Sequence, residues 1–181
     1  MLDKINVARI IVGHVDTLRD FSTGRRSIAD IVFFFGAPLI VSGLGWYLDW
    51  GLYVDALNAL LAAFAIFAAL LLNLLLLIYT FSTDRTHPAT LAKVRGSLVR
   101  ELHDNIAFAT LISIAIVVVA LVSVAQLKIQ DPVNPRHTGP AMTFVIIYLT
   151  SNFILTVLMV LKRIHVLLSR ELEQPSIRKV S

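Results

Sequence analysis

Leu70-Leu71-Leu72-Asn73-Leu74-Leu75-Leu76-Leu77 is the stretch that decides the fold class. It lies inside a longer apolar segment, Val54 to Phe81, whose only charge is Asp55 at its start. A helix crossing a hydrocarbon layer of roughly 30 Å needs about 20 such residues, and a helix on the surface of a soluble domain would carry polar side chains on every turn. Three further segments read the same way: Ile28 to Tyr47, Asn105 to Leu127 and Pro140 to Leu161. The first of these is broken by Gly36, Pro38, Gly43 and Gly45, residues that spanning helices tolerate. The expected architecture is therefore all-α, an integral-membrane bundle of four transmembrane helices spanning about 28–47, 54–81, 105–127 and 140–161.

Composition points the same way. Of 181 residues 57% are hydrophobic and 15% charged, and the mean hydropathy is +0.79, against about 45–50% apolar and about 25% charged in soluble domains. Cysteine is absent, which removes disulfides, thiolate metal sites and cysteine nucleophiles together. The first 27 residues carry eight charges before any apolar run. A cleavable secretory signal is therefore not expected, and the first span is read as retained.

Fourteen of the sixteen Lys and Arg residues fall before the first span, between the second and third, or after the fourth; only Lys128 and Arg136 lie on the other side. By the positive-inside rule both termini and the middle connection are expected in the cytoplasm, at a bacterial inner (plasma) membrane. The pI of about 9.7 is then a topological signal, and no nucleic-acid partner is expected. Trp46, Tyr47, Trp50 and Tyr53 cluster at the outer turn, where amphipathic rings prefer the headgroup level. The other outer connection, residues 130–140, holds three prolines and reads as a loop.

On the cytoplasmic side, residues 1–27 read as an amphipathic helix with Ile5, Ala8, Val12, Val15 and Leu18 at helical spacing. Such a helix lies either on the membrane or a partner, or against the protein's own cytoplasmic helices. A second stripe, Leu91, Val94, Leu98 and Leu102, with Lys93, Arg95 and Arg100 on other faces, predicts a helical extension over 89–104 running unbroken into the third span. Ile164, Leu167, Leu168 and Leu172 predict another over 162–173, and residues 175–181 read as a polar tail. Leu91, Val94, Leu98 and Arg95 are the candidate contacts for a cytosolic protein partner.

Four polar residues stand out within the spans. Asp30 follows Ser27 in a capping-box pattern that places its carboxylate in a first helical turn; an ion or proton site is the alternative. In the second span Asn58, Ala62, Ala65, Ala69 and Asn73 follow spacings of 4, 3, 4 and 4, a face of small side chains with an amide at each end. In the third, Ala109, Ser113, Ile116, Ala120 and Ser123 form a comparable stripe, and the two faces are expected to meet. Asn152 in the fourth span cannot be satisfied by its own helix as readily as its Thr and Ser neighbours, so Asn152 and Asn73 are the candidates for a specific contact.

Signs of catalysis are sparse. None of the five histidines lies within a span, and no zinc-protease, phosphate-loop or dinucleotide motif occurs. An enzyme at the inner leaflet would need Glu101, His103, Arg163 and His165 to converge. The expectation is no enzymatic activity, no cofactor and no metal. Ser27-Ile28-Ala29-Asp30-Ile31 opening the first span, Asn73 within the leucine run, and Asn152 to His165 closing the fourth resemble uncharacterised bacterial four-span membrane proteins. In size and span count the chain is similar to the membrane subunit of the Kiwa anti-phage system. The resemblance implies a membrane-embedded subunit or effector for a cytosolic component in phage defence; a protein surrounded by lipid and self-associating is the expectation. A small homo-oligomeric channel or transporter is the alternative.

Overall fold

The computed structural model describes residues 7–18, 28–82, 89–130 and 137–173, and its regular structure is helical throughout. Five helices follow in order: α1 (Val7–Thr17), α2 (Ile28–Tyr47), α3 (Val54–Ser82), α4 (Ala89–Gln130) and α5 (Pro140–Glu173). Three contain stretches long and apolar enough to cross a membrane, Val54–Tyr79, Val99–Ile129 and Pro140–His165. The protein is thus a helical membrane protein. α2 contributes a shorter apolar stretch, Ile31–Tyr47, of 17 residues, about 25 Å long at the α-helical rise. α4 is one continuous helix of 42 residues from Ala89, and α5 runs on to Glu173. Ser27, the 131–136 loop and the 175–181 tail lie outside the described residues, as do the side chains of Asp30, Leu91, Val94, Arg95 and Leu98.

The helices do not simply pack in chain order. α4 contacts α1, α3 and α5, while α2 lies against α5 rather than against its chain neighbour α3. Three apolar layers stack along the bundle. At the Trp50 end, Leu57, Ala120, Val124, Leu127 and Ile146 pack together. The middle layer gathers Phe34, Phe64, Phe108 and Phe153 around Ala109, Ile112 and Ile116, with Leu18 joining from beyond α1. At the opposite end Ile78, Leu102, Ile106 and Val160 close the core.

One expected pairing is overturned. The small-residue stripe of α4 is buried, with Ala109, Ser113, Ile116 and Ala120 all at 0% exposure, but it does not meet the stripe of α3. Asn58, Ala62, Ala65, Ala69 and Asn73 are exposed, every one. α3 turns Leu57, Phe64 and Ile78 inward instead. Large side chains opposite small ones fill the space between two helices, whereas small opposite small would bring the backbones close and leave the leucines and phenylalanines with no core to fill.

At the Trp50 end, α2 ends in a Schellman arrangement: the Trp50 amide donates to the Gly45 carbonyl at 2.9 Å and the Asp49 amide to Trp46 at 3.2 Å. Asp49, not a glycine, takes the left-handed conformation at φ 51°, which short Asp side chains tolerate. The following chain is clasped to the start of α5: Thr138 N–H donates to Leu52 O and Leu52 N–H to Thr138 Oγ1, both at 3.0 Å. His137 lies over Gly51 so closely that a Cβ there would overlap the imidazole, whereas a Cβ on Gly43 meets nothing within 4 Å. Gly51→Ala should therefore lower thermal stability in detergent by about 1–3 kcal/mol through overpacking. Gly43→Ala, inside α2, should be neutral or stabilising by up to about 1 kcal/mol. Equal melting temperatures for the two variants would contradict this placement of His137.

Candidate functional site: a polar clamp on α1

α1 is docked on the bundle by a polar face. Its inward residues are Gly13, His14 and Thr17, followed by Leu18, with the half-buried Ile10 packed beside them, while Val12, Ile11 and Val7 remain exposed. The apolar stripe read from the sequence is therefore divided: Leu18 enters the core and Val12 faces out. Packing on the protein's own helices and an outward apolar face occur together, and they are not alternatives.

His14 is the centre of the contact, fully buried between α1, α2 and α4. Its ring stacks on Phe108 at a centroid distance of 3.9 Å and 10° between planes. Phe34 closes the other flank at 4.9 Å. Nδ1 lies 2.8 Å from Asn105 Oδ1; an amide oxygen only accepts, so Nδ1 carries the ring proton and Nε2 is left as an acceptor without a partner. Thr17 Oγ1 is within reach of two oxygens, the His14 carbonyl at 2.6 Å and Asn105 Oδ1 at 2.8 Å, and its one proton divides between them. Asn105 Nδ2 is also buried and unpartnered.

Arg163 completes the clamp from α5. Its Nη1 donates to Glu101 Oε2 on α4 at 2.8 Å and its Nη2 to the Thr17 carbonyl at 2.7 Å. A cation at the last carbonyls of a helix both satisfies an orphan acceptor and opposes the helix dipole. One guanidinium thus ties the C-terminus of α1 to α4 and α5. Close approach is permitted by Gly13, where a Cβ would come within 3.3 Å of Asp104 Cγ.

Burial holds the His14 pKa well below its ordinary value, down to about 4. The Asn105 bond and the charge of Asp104 act in the opposite direction, and the charge of Arg163 acts with burial. His14 is therefore neutral at pH 7, as a ring between two phenylalanines beside a fixed guanidinium must be.

Of the other residues singled out from sequence, Asn152 is buried, with Oδ1 unpartnered, and Asn58 and Asn73 lie on the outside of α3. The structure separates Asn73 from Asn152. Glu101 and Arg163 do converge, but His103 is exposed with only a 3.4 Å contact to Asp104, and His165 is exposed. Among the described residues no group of three or more metal-ligating side chains assembles. Sequence reasoning missed His14, Thr17 and Asn105 as one unit. The available signal was Gly13 beside His14 on an otherwise bulky helix. Comparison with known protein families, with curated proteins and with solved structures finds no match to this chain, so its own geometry carries the functional reading.

Two outcomes follow. A group depressed in the folded state binds its proton more readily once released, so the docking of α1 is complete above about pH 6.5 and weakens as pH falls through about 4. The linkage is worth on the order of 3 kcal/mol. A spin label on Val12→Cys should gain mobility across that window, and adding His14→Phe should remove the pH response; a response that survives without the imidazole would overturn the assignment to His14. Arg163→Ala should also mobilise the label at pH 7. The expected cost is roughly 1–2 kcal/mol, because the Glu101 side chain is 39% exposed and its share is screened.

Proposed function

We propose that the protein is a four-span subunit of the bacterial plasma membrane, with both termini cytoplasmic, that presents a helical platform to a cytosolic protein partner. The observation that carries this reading is the clamp of His14, Thr17, Asn105, Glu101 and Arg163. A bundle required only to pack within lipid has no need to fix a separate helix at its base with a buried imidazole and a bridging guanidinium. The platform consists of α1 with its outward Val7, Ile11 and Val12 and of the extensions of α4 and α5 beyond the apolar stretches. The candidate partner contacts Leu91, Val94, Leu98 and Arg95 belong to the α4 extension. α2 is the fourth span, thinner than the others and braced on α5. The lopsided Lys and Arg distribution supports the orientation, and the resemblance to membrane subunits of anti-phage systems supports a role in defence.

The absence of cysteine makes the topology directly testable. Single cysteines at Thr86 and Ser176 should react with a membrane-impermeant maleimide only after cells are opened, and one at Asn134 should react in intact cells. For the function itself, proteins cross-linked to the full-length chain in native membranes are compared with those cross-linked to Leu91→Glu/Leu98→Glu and to Arg163→Ala. Loss of the same cytosolic protein from both variants, with the chain still folded in the membrane, is the expected result. An unchanged set of partners overturns the reading. A homo-oligomeric channel or transporter is the second reading, favoured by the outward amides of Asn58 and Asn73; it requires conductance from the purified protein in planar bilayers.

A further inference from the structure

α3 carries polar groups where a lipid-facing helix has no use for them. Asn58, Ala62, Ala65, Ala69 and Asn73 face away from the bundle, yet all five lie within the membrane-length stretch Val54–Tyr79. No hydrogen bond to either amide occurs among the described residues. Lipid tails offer an amide nothing. A surface made only to meet tails is built of large apolar side chains, as the outward Leu70 and Leu77 show. Here three turns carry alanine instead, between two asparagines.

We propose that this face is covered by the same face of a second copy, α3 against α3, in a parallel two-fold dimer with an alanine seam and an asparagine pair near each end. Hydrogen-bond complementarity argues for a second copy. A carboxamide is donor and acceptor at once, so it is its own complement. A two-fold axis along the membrane normal sets every residue opposite its copy at the same depth. The two amides, 15 residues and about 22 Å apart along the helix, then find partners together, which any other helix would match only with polar groups at the same two depths. The 4, 3, 4, 4 spacing from Asn58 to Asn73 averages more than 3.6 residues per turn and so keeps the stripe facing its partner in a right-handed crossing. Asp55 is exposed in the first turn of α3, at the headgroup level, where water screens it from its copy. The proposal requires α3 to cross the bilayer and nothing from the cytosolic-partner reading.

The test uses full-length protein in vesicles of phosphatidylcholine and phosphatidylglycerol, with single cysteines introduced into the cysteine-free chain. Under an oxidising catalyst, Ala65→Cys should give disulfide-linked dimers at protein dilutions where Leu70→Cys, on a neighbouring outward face, stays monomeric. Photobleaching of labelled wild-type protein should show two copies per particle. Asn58→Leu with Asn73→Leu should weaken association by about threefold to thirtyfold, and Ala62→Phe should abolish it. Because these side chains face outward, the variants keep the helix content and melting behaviour of the monomer. Equal cross-linking at positions 65 and 70, three or more copies per particle, or unchanged association in the double leucine variant each overturns the proposal. Each leaves capture of the cytosolic partner unaffected.

Discussion

The structure depends on the close packing of α4. Ala109, Ser113, Ile116 and Ala120 have no exposed surface, and Asn105 and Ile106 extend that buried strip towards α1. Along it α4 receives α3, α5 and α1 in turn. Small side chains at these positions let large ones enter: Phe64 and Phe153 meet edge to face at 5.0 Å against this strip, and Phe108 of α4 itself stacks on His14. Dense packing of this kind replaces the hydrophobic effect as the source of cohesion, because lipid tails are as apolar as the core. The choice of which α3 face turns inward, and hence which is left outside, follows from it.

Polar groups in the apolar layer are handled in two ways. Hydroxyls return to their own helix: Thr110 donates to Ile106 O, Ser113 to Thr110 O, Ser123 to Val119 O and Thr156 to Asn152 O, each between 2.7 and 2.9 Å. Ser42 does the same with Pro38 O at 2.7 Å. Such bonds cost the bundle little and tie no helices together. Carboxamides have a donor and an acceptor on a longer arm and need partners elsewhere. Asn105 has its partners on α1, and Asn58 and Asn73 face outward. The amides therefore mark where one surface must meet another, and these four hydroxyls, bonded within their own helices, do not.

The three stretches of spanning length, in α3, α4 and α5, were legible in the sequence because insertion depends on length and apolarity, which a linear reading captures. The leucine run and the charge-free Asn105 to Leu127 segment needed no knowledge of neighbours. Orientation of faces was not legible in the same way. In water, an apolar stripe identifies the inward face; in lipid both faces are apolar, so the small stripe of α3 and the leucines beside it were equal candidates for the core. α1 misled for a related reason. Its apolar residues suggested the docking side, while the contact was made by His14 and Thr17, whose partners Asn105 and Arg163 lie 91 and 146 residues away in the chain. The outer turn likewise depends on its neighbours. The bend falls on Asp49, and Gly51 is there to make room for His137.

The interior also limits what the bundle can conduct. A pathway through one copy needs polar groups that converge on an axis wide enough for water. Here Phe34, Phe64, Phe108 and Phe153 occupy the middle layer, and the nearby hydroxyls of Thr110, Ser113 and Thr156 are already bonded within their own helices. Besides His14 on α1, the buried polar side chain with an unmet acceptor at this depth among the described residues is Asn152, and Thr150 beside it on α5 also lacks a partner. Two residues apart on a helix, their side chains diverge by about 200°, so they do not line one channel. A polar route between copies would have to use the outward amides of α3. An alanine seam drawn tight by amide pairs leaves no width for water there, so the packing that would make α3 a good dimer face would also make it a poor pore wall.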